Sequence, residues 1–181
     1  MGLNITAYKN ITMSSGNEAF DDEGDLIQGD PNKWFQVYKN VNFPGRADDI
    51  EDRKAYKAED SVGFRVGSYN GYGWWREELA KLAGYAETEY EDHHGHTKMS
   101  FSVTVWFGFD QGDFTGPFAE LICFSDCEGV IGNTISMKLA KDFEEFQERA
   151  NIHESERFKN LYKGWKEVFN FASDRGCVEF H

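Results

Sequence analysis

Two stretches of the sequence combine glycines with side chains that can bind anions or act as nucleophiles. The first, 67–85 (GSYNGYGWWREELAKLAGY), predicts a turn with positive φ at its glycines and a short helix opened at residue 74. A helix start offers free N–H groups and the positive end of the helix dipole, so it is a candidate anion site. Arginine adds a forked donor, and aromatic rings stack on flat bases. The residues assigned to this site are Ser68, Tyr69, Tyr72, Trp74 and Arg76.

A structural role is the alternative for this first stretch. Trp75, Leu79 and Leu82 form one apolar stripe, and Gly84 is a suitable helix end. The stretch matches neither the Walker phosphate-binding motif nor the dinucleotide-binding glycine motif. A tight strand-to-helix connection, with its aromatic rings in the core, explains the same residues.

The second stretch, 125–134 (SDCEGVIGNT), leaves an apolar segment, passes two glycines and enters a predicted helix. Carboxylates near a helix start favour its dipole but repel phosphate unless a divalent cation bridges them. A cysteine near a helix start is a candidate nucleophile, since the dipole lowers its pKa. The residues assigned here are Ser125, Asp126, Cys127 and Glu128.

Structural alternatives also remain open for the second stretch and for Arg65. Asp126 suits a turn or a helix cap, and Cys127 suits a small buried thiol. Arg65, on a predicted strand over 61–67, contacts either the ligand or the acidic pair Glu59 and Asp60.

Three histidines, in the tract 93–96 (HHGH), raise the question of a metal site. Flanking acids add oxygen ligands. A flexible loop preorganises a metal site poorly, however, and an exposed hairpin loop explains the tract equally well. We therefore assign no metal and no other cofactor to the chain.

The elements that must position these residues indicate an α+β fold. Alternating apolar residues predict strands over 2–13, 33–38, 61–67 and 99–109, a further apolar run predicts one over 117–124, and a short strand is expected over 177–181. Stripes with helical spacing predict long helices over 134–150 and 154–172. We expect a mostly antiparallel sheet covered by two long helices and one short helix.

Composition predicts a single domain over 1–181, with acidic loops near 14–32 and 42–60. The net charge of −13 argues against direct nucleic acid binding, because few cations are available to replace phosphate counterions. Three cysteines without a C-x-x-C pair indicate reduced thiols and a cytosolic protein. The sequence has no secretion signal and no apolar run that predicts a membrane span.

Four blocks of the sequence resemble a family of uncharacterised proteins from tailed bacteriophages and prophages. They are MGLNITAY, AEDSVGFRVGSYNGYGWWREELAKLAGY, FAELICFSDCEGVIGNTISMKLAKDF and the final VEFH. The resemblance implies a phage accessory protein that acts in the bacterial host cytoplasm. It assigns no residue a catalytic role.

Three hypotheses of function follow, and the first is favoured because the informative residues suit holding a ligand better than cutting one. The first is a non-enzymatic module that sequesters a small nucleotide-derived ligand of host defence. The second is a hydrolase that uses a metal with Asp126 and Glu128, or Cys127 as nucleophile. The third is an acidic inhibitor that docks on a basic protein or mimics DNA. No membrane partner is expected, and a homo-oligomer is left open.

Overall fold

The chain folds into short strands and helices around one antiparallel sheet. The computed structural model describes residues 2–16, 19–21, 26–30, 33–112 and 116–181. The strands are β1 (Leu3–Lys9), β2 (Thr12–Met13), β3 (Ala19–Phe20), β4 (Leu26–Gln28), β5 (Trp34–Gln36), β6 (Ala55–Lys57), β7 (Asp60–Gly67), β8 (Thr88–Glu91), β9 (Thr97–Ser100), β10 (Gly129–Ile131) and β11 (Cys177–Phe180). The helices are α1 (Tyr69–Ala83), α2 (Ser102–Asp110), α3 (Ala119–Ile122), α4 (Asn133–Glu145), α5 (Gln147–Asn151) and α6 (Glu156–Ala172).

The main sheet has the strand order β10-β11-β1-β7, and each neighbouring pair is antiparallel. The C-terminal strand β11 therefore lies inside the sheet, between β10 and β1. In β1, Leu3, Ile5 and Ala7 are buried on the face that the helices cover, as the alternation of the sequence predicts. The prediction of an α+β fold with antiparallel sheet is confirmed.

Aromatic side chains fill the core between this sheet and the helices. The rings of Trp75 and Trp165 stack with centroids 5.4 Å apart, and Tyr72 lies 5.6 Å from Trp165. All three side chains are fully buried. Stacked aromatic pairs stabilise a core beyond their buried area, which gives much of the aromatic content of α1 and α6 a structural role.

A small second sheet and a long loop cover part of the opposite face. The sheet has the order β2-β6-β5, and with the loop 37–50 it buries a second cluster that includes Tyr8, Phe35 and Cys177. The predicted loop 42–60 is thus not uniformly solvated. Its Arg46 is 3% exposed and donates to the carbonyls of Glu120 at 3.1 Å and Cys123 at 2.7 Å.

Two predicted strands are wrong. The segment 99–109 contributes only its first residues to β9 and then forms helix α2, and 117–124 contains helix α3. The carboxylate of Glu77 on α1 accepts hydrogen bonds from the backbone N–H groups of Phe101 (2.6 Å) and Ser102 (3.1 Å), and so caps α2. The alternation of apolar residues over 99–109 therefore did not decide its structure, because Glu77, which is distant in the sequence, caps the helix.

The helices also differ in extent from the prediction. The predicted helix 134–150 is divided into α4 and α5, whereas α6 matches the last predicted helix. Helix α1 has 15 residues rather than a short run from residue 74. Strands β8 and β9 pair as a hairpin around the histidine tract. Within the predicted acidic loop 14–32, β3 pairs with β4, and its residues 17–18, 22–25 and 31–32 lie outside the described part of the chain.

Candidate functional site

The first glycine-rich stretch forms the start of α1 rather than a turn before it. Gly67 has φ 116° as predicted, but Gly71 and Gly73 lie within the helix. The hydroxyl of Ser68 accepts a hydrogen bond from the N–H of Gly71 at 3.1 Å and caps the helix. This contact occupies one of the N–H groups that the sequence assigned to an anion.

The aromatic residues of that stretch pack against the protein itself. Tyr72 is fully buried, and Tyr69 packs against the helix-side core. The guanidinium of Arg157 lies 4.8 Å from the ring centroid of Trp74 and covers one side of it. Arg65 is exposed on β7, where it donates to the side chain of Asn4 at 3.4 Å. The sequence-based assignment of these residues to one ligand site therefore does not match their positions.

The second stretch is a turn followed by β10, not a direct entry into a helix. The Ser125 hydroxyl accepts hydrogen bonds from the N–H groups of Cys127 (3.3 Å) and Glu128 (3.1 Å) and closes the turn. Helix α4 begins only at Asn133, and the Asp49 carboxylate accepts the N–H of Thr134 at 2.7 Å. Cys127 therefore lies in a turn, six residues before the first residue of α4, and not at the helix start that the sequence predicted.

The two stretches nevertheless meet at one cleft, which we call the Arg76 cleft. Arg76 of α1 and residues 125–128 line it, and its volume is about 280 Å³. Arg76 donates to the Phe124 carbonyl at 2.8 Å, and its guanidinium lies 4.5 Å from the centroid of the Tyr72 ring. Much of its hydrogen-bonding capacity is thus used within the protein. Further lining comes from Asn40, Asn42, Phe43 and Trp106.

A larger cavity lies on the other side of Glu128, beside β11, and we call it the β11 cavity. Its volume of about 500 Å³ falls within the range of small-molecule sites. Glu128 lines both cavities, and the Asn40 side chain donates to the Glu128 carbonyl at 3.2 Å. The charged and aromatic residues that line the β11 cavity are Tyr38, Arg53, Glu128, Glu179, Phe180 and His181.

Glu179 stands out in this cavity because its carboxyl group is largely buried without a cation. Among the described residues it makes no ion pair, and its one hydrogen bond comes from the Tyr8 hydroxyl, 3.1 Å from Oε2. The Tyr8 ring stacks on Phe35 with centroids 3.8 Å apart, which fixes the donor. Burial raises the pKa of Glu179, and the Tyr8 hydrogen bond opposes that shift.

The two basic side chains of the cavity are held by neighbouring residues. The Arg53 guanidinium lies 5.0 Å from the Tyr38 ring centroid, and the Arg53 backbone has φ 57°. The His181 ring nitrogen Nε2 is 2.8 Å from the Thr6 hydroxyl, and burial lowers the pKa of His181. The β11 cavity is therefore lined by an aromatic ring, a guanidinium and two carboxyl groups.

The described residues include no group of three or more histidine, cysteine or acidic side chains placed to hold a metal ion. The predicted histidine tract lies at the tip of the β8–β9 hairpin. Its rings are spaced 3.9 Å (His93 to His94) and 6.1 Å (His94 to His96) without converging on one point. In the part of the chain described, no helix combines the length and apolar character that a bilayer span requires.

Comparison with protein-family models, curated proteins and solved structures finds no match to this chain.

Of the residues that line the β11 cavity, only Glu128 has a ligand-binding role predicted from the sequence. Tyr38 and Arg53 lie more than a hundred residues before Glu179 and His181 in the chain, and the fold brings the two pairs together. One local signal was available: Glu179 interrupts an apolar C-terminal strand, and Cys177, Glu179 and His181 share its second face by alternation.

Proposed function

We propose that this protein is a phage accessory protein that sequesters a small nucleotide-derived ligand in the β11 cavity. The observation that carries this proposal is the largely buried carboxyl of Glu179, which makes no ion pair within the described part of the chain, in the wall of a 500 Å³ cavity. A largely buried carboxylate without a cationic partner is costly, and proteins retain such groups most often at functional sites. N–H donors of a bound ligand would satisfy it.

The remaining lining residues favour a ligand that is both flat and anionic. The ring of Tyr38 provides a face on which a base can stack. The Arg53 guanidinium already lies 5.0 Å from the centroid of that ring, so a bound base would share the ring with Arg53. Arg53 is exposed, and its guanidinium can pair with a phosphate group through two parallel hydrogen bonds. Base and phosphate recognition would thus come from different residues of one cavity.

The surroundings of the cysteine thiols favour a protein that binds its ligand without cleaving it. Cys127 is exposed, and its thiol contacts the Ser125 hydroxyl at 3.5 Å rather than a histidine of the described chain. Burial raises the pKa of Cys123 and Cys177, which disfavours their thiolates. A role in the host cytoplasm, where thiols remain reduced, completes the proposal.

A hydrolase that uses Glu128 and Glu179 as an acid–base pair is the second candidate. Two carboxyl groups line one cavity, and burial raises the pKa of Glu179. Glu179 would then act as the general acid and Glu128 as the general base. The two functions differ in the fate of the ligand. Mass spectrometry after incubation distinguishes them, because a sequestered nucleotide is recovered unchanged and a hydrolysed one is not.

Calorimetric titration with linear, cyclic and dinucleotide ligands tests the proposed function. We expect at least one of them to bind and Arg53→Ala to weaken that binding about tenfold or more, since a charge-assisted hydrogen bond is lost. Arg149→Ala is the matched control, because Arg149 is also exposed and lies 5.0 Å from the Phe146 ring centroid, on α5. If no nucleotide binds, sequestration of this ligand class is refuted.

A further inference from the structure

The two oxygens of the Glu179 carboxyl group differ in their surroundings. Oε2 accepts the hydrogen bond from Tyr8, whereas Oε1 has no hydrogen-bond partner among the described residues. The carboxyl group lines the β11 cavity, as does Glu128, whose carboxylate has no hydrogen bond or ion pair there either. The cavity wall therefore presents hydrogen-bond acceptors that the described chain leaves unpaired.

We infer that Glu179 selects a guanine-type base by accepting hydrogen bonds from its N1–H and 2-amino groups. Ionised carboxylates only accept hydrogen bonds, and the two oxygens of one carboxylate can accept from two parallel donors. The edge of guanine carries two such donors side by side, whereas adenine places the acceptor N1 where a carboxylate oxygen would repel it. This inference deepens the proposed function and rests on it.

The guanidinium of Arg53 favours a ligand that also carries an anion. An amine would satisfy Glu179, but it would offer no anion to Arg53, whose own ion pair with Asp52 is long at 3.9 Å. A guanine nucleotide carries neutral donors at its base and negative charge at its phosphate, so it matches both groups. Glu128 is the second acceptor available to the same base edge.

The test compares GMP, IMP and AMP by calorimetric titration against the full chain. IMP keeps N1–H but lacks the 2-amino group, so the inference predicts the affinity order GMP, IMP, AMP. The Kd of GMP should be about tenfold or more below that of AMP, as for other paired base edges. Glu179→Gln replaces one acceptor by a donor and should bring the Kd values of GMP and AMP within about threefold of each other.

Two further variants separate base recognition from general loss of binding. Glu128→Gln should reduce the preference for GMP without removing it. Glu87→Gln, at an exposed position outside the cavity, should leave all three Kd values unchanged. Circular dichroism of each variant shows whether the fold is retained.

The outcomes distinguish this inference from the proposed function. Equal binding of GMP and AMP by the wild-type chain overturns the inference and leaves nucleotide sequestration standing. A preference for GMP that persists in Glu179→Gln also overturns it, because another group would then select the base. Absence of binding by every nucleotide in the wider panel overturns both.

Discussion

Tyr8 on β1 donates a hydrogen bond to Oε2 of Glu179 on β11, and the two side chains lie on the same face of adjacent strands. Tyr8 is itself buried and stacked on Phe35. The hydrogen bond therefore holds a carboxyl group at a fixed position beside a cavity where water is partly excluded. A protein selected for stability alone gains little from such a group, since burial disfavours its charged form.

Replacing Glu179 with glutamine should stabilise the protein. The folded-state pKa of Glu179 is raised above its ordinary value of 4.5, so its protonated form favours folding and that contribution is lost as the pH rises through the folded pKa. Glutamine keeps an acceptor for Tyr8 and carries no charge. We expect Tm near neutral pH to increase by about 2–4 °C, which corresponds to about 1 kcal/mol.

Calorimetric melts at several pH values check this prediction. Between pH 4.5 and neutrality, the wild-type chain should lose more stability with rising pH than Glu179→Gln does. A lower Tm for the variant at neutral pH would show that the carboxylate is paired in solution, which contradicts the structure.

The cap that Glu77 provides for α2 should be measurable as stability. Burial opposes the ionisation of Glu77, but the N–H groups of Phe101 and Ser102 and the hydroxyl groups of Ser100 and Ser102 outweigh it and lower its pKa. We expect Glu77→Ala to reduce the free energy of unfolding at neutral pH by about 1–2 kcal/mol. Urea denaturation followed by tryptophan fluorescence measures the change.

The contribution of Glu77 should also depend on pH in a defined direction. A lowered folded-state pKa stabilises the fold above the ordinary value of 4.5, and this contribution disappears as the pH falls through the folded pKa. The difference between wild type and Glu77→Ala should therefore shrink at about pH 3. Glu145→Ala, exposed on α4, is the control and should change stability by less than about 0.5 kcal/mol.

Two helical glycines should respond to alanine in opposite directions. A methyl group at Gly164 would overlap the ring of Phe64, where α6 crosses β7, whereas one at Gly73 of α1 would meet no atom within 4 Å. Gly164→Ala should destabilise the protein by about 1–2 kcal/mol through overpacking. Gly73→Ala should stabilise it by about 0.5–1 kcal/mol, because alanine favours the helix. Equal effects in urea denaturation would contradict the packing of α6 on the sheet.

The three cysteines should differ in reactivity towards a thiol reagent. Cys127 is exposed, whereas Cys123 and Cys177 are buried, and burial raises the pKa of Cys123 to about 12. We expect one equivalent of thiol to react rapidly in the native protein and three in urea. Cys127→Ser should remove the fast phase. A fast phase that survives in that variant would show that a second thiol is accessible.

The limits of prediction from sequence are clearest where a distant contact overrides a local hydrophobic pattern. The alternation of Leu3, Ile5 and Ala7 and the stripe of α6 were sufficient to predict β1 and the last helix. The segment around Phe101 was also alternating, yet it forms a helix because Glu77, more than twenty residues away, caps it. No local pattern contains that contact.

The candidate site was also only partly predictable from the sequence. Glycine and charge identified the stretches 67–85 and 125–134, and the structure does bring Arg76 and Glu128 to one cleft. The starts of α1 and α4, however, are capped by the side chains of Ser68 and Asp49, and these contacts are visible only in the structure.

Local periodicity and backbone preference were enough to predict the α+β class, β1, the long C-terminal helix and the end of α1 at Gly84. Tertiary contacts set the conformation of 101–112 and 116–124 and the composition of the β11 cavity. Pairing of β11 with β1 and β10 places Glu179 beside Tyr8 and Glu128, although they are far apart in the chain. The partners of a buried carboxyl group are set by strand order, and strand order is a property of the whole fold.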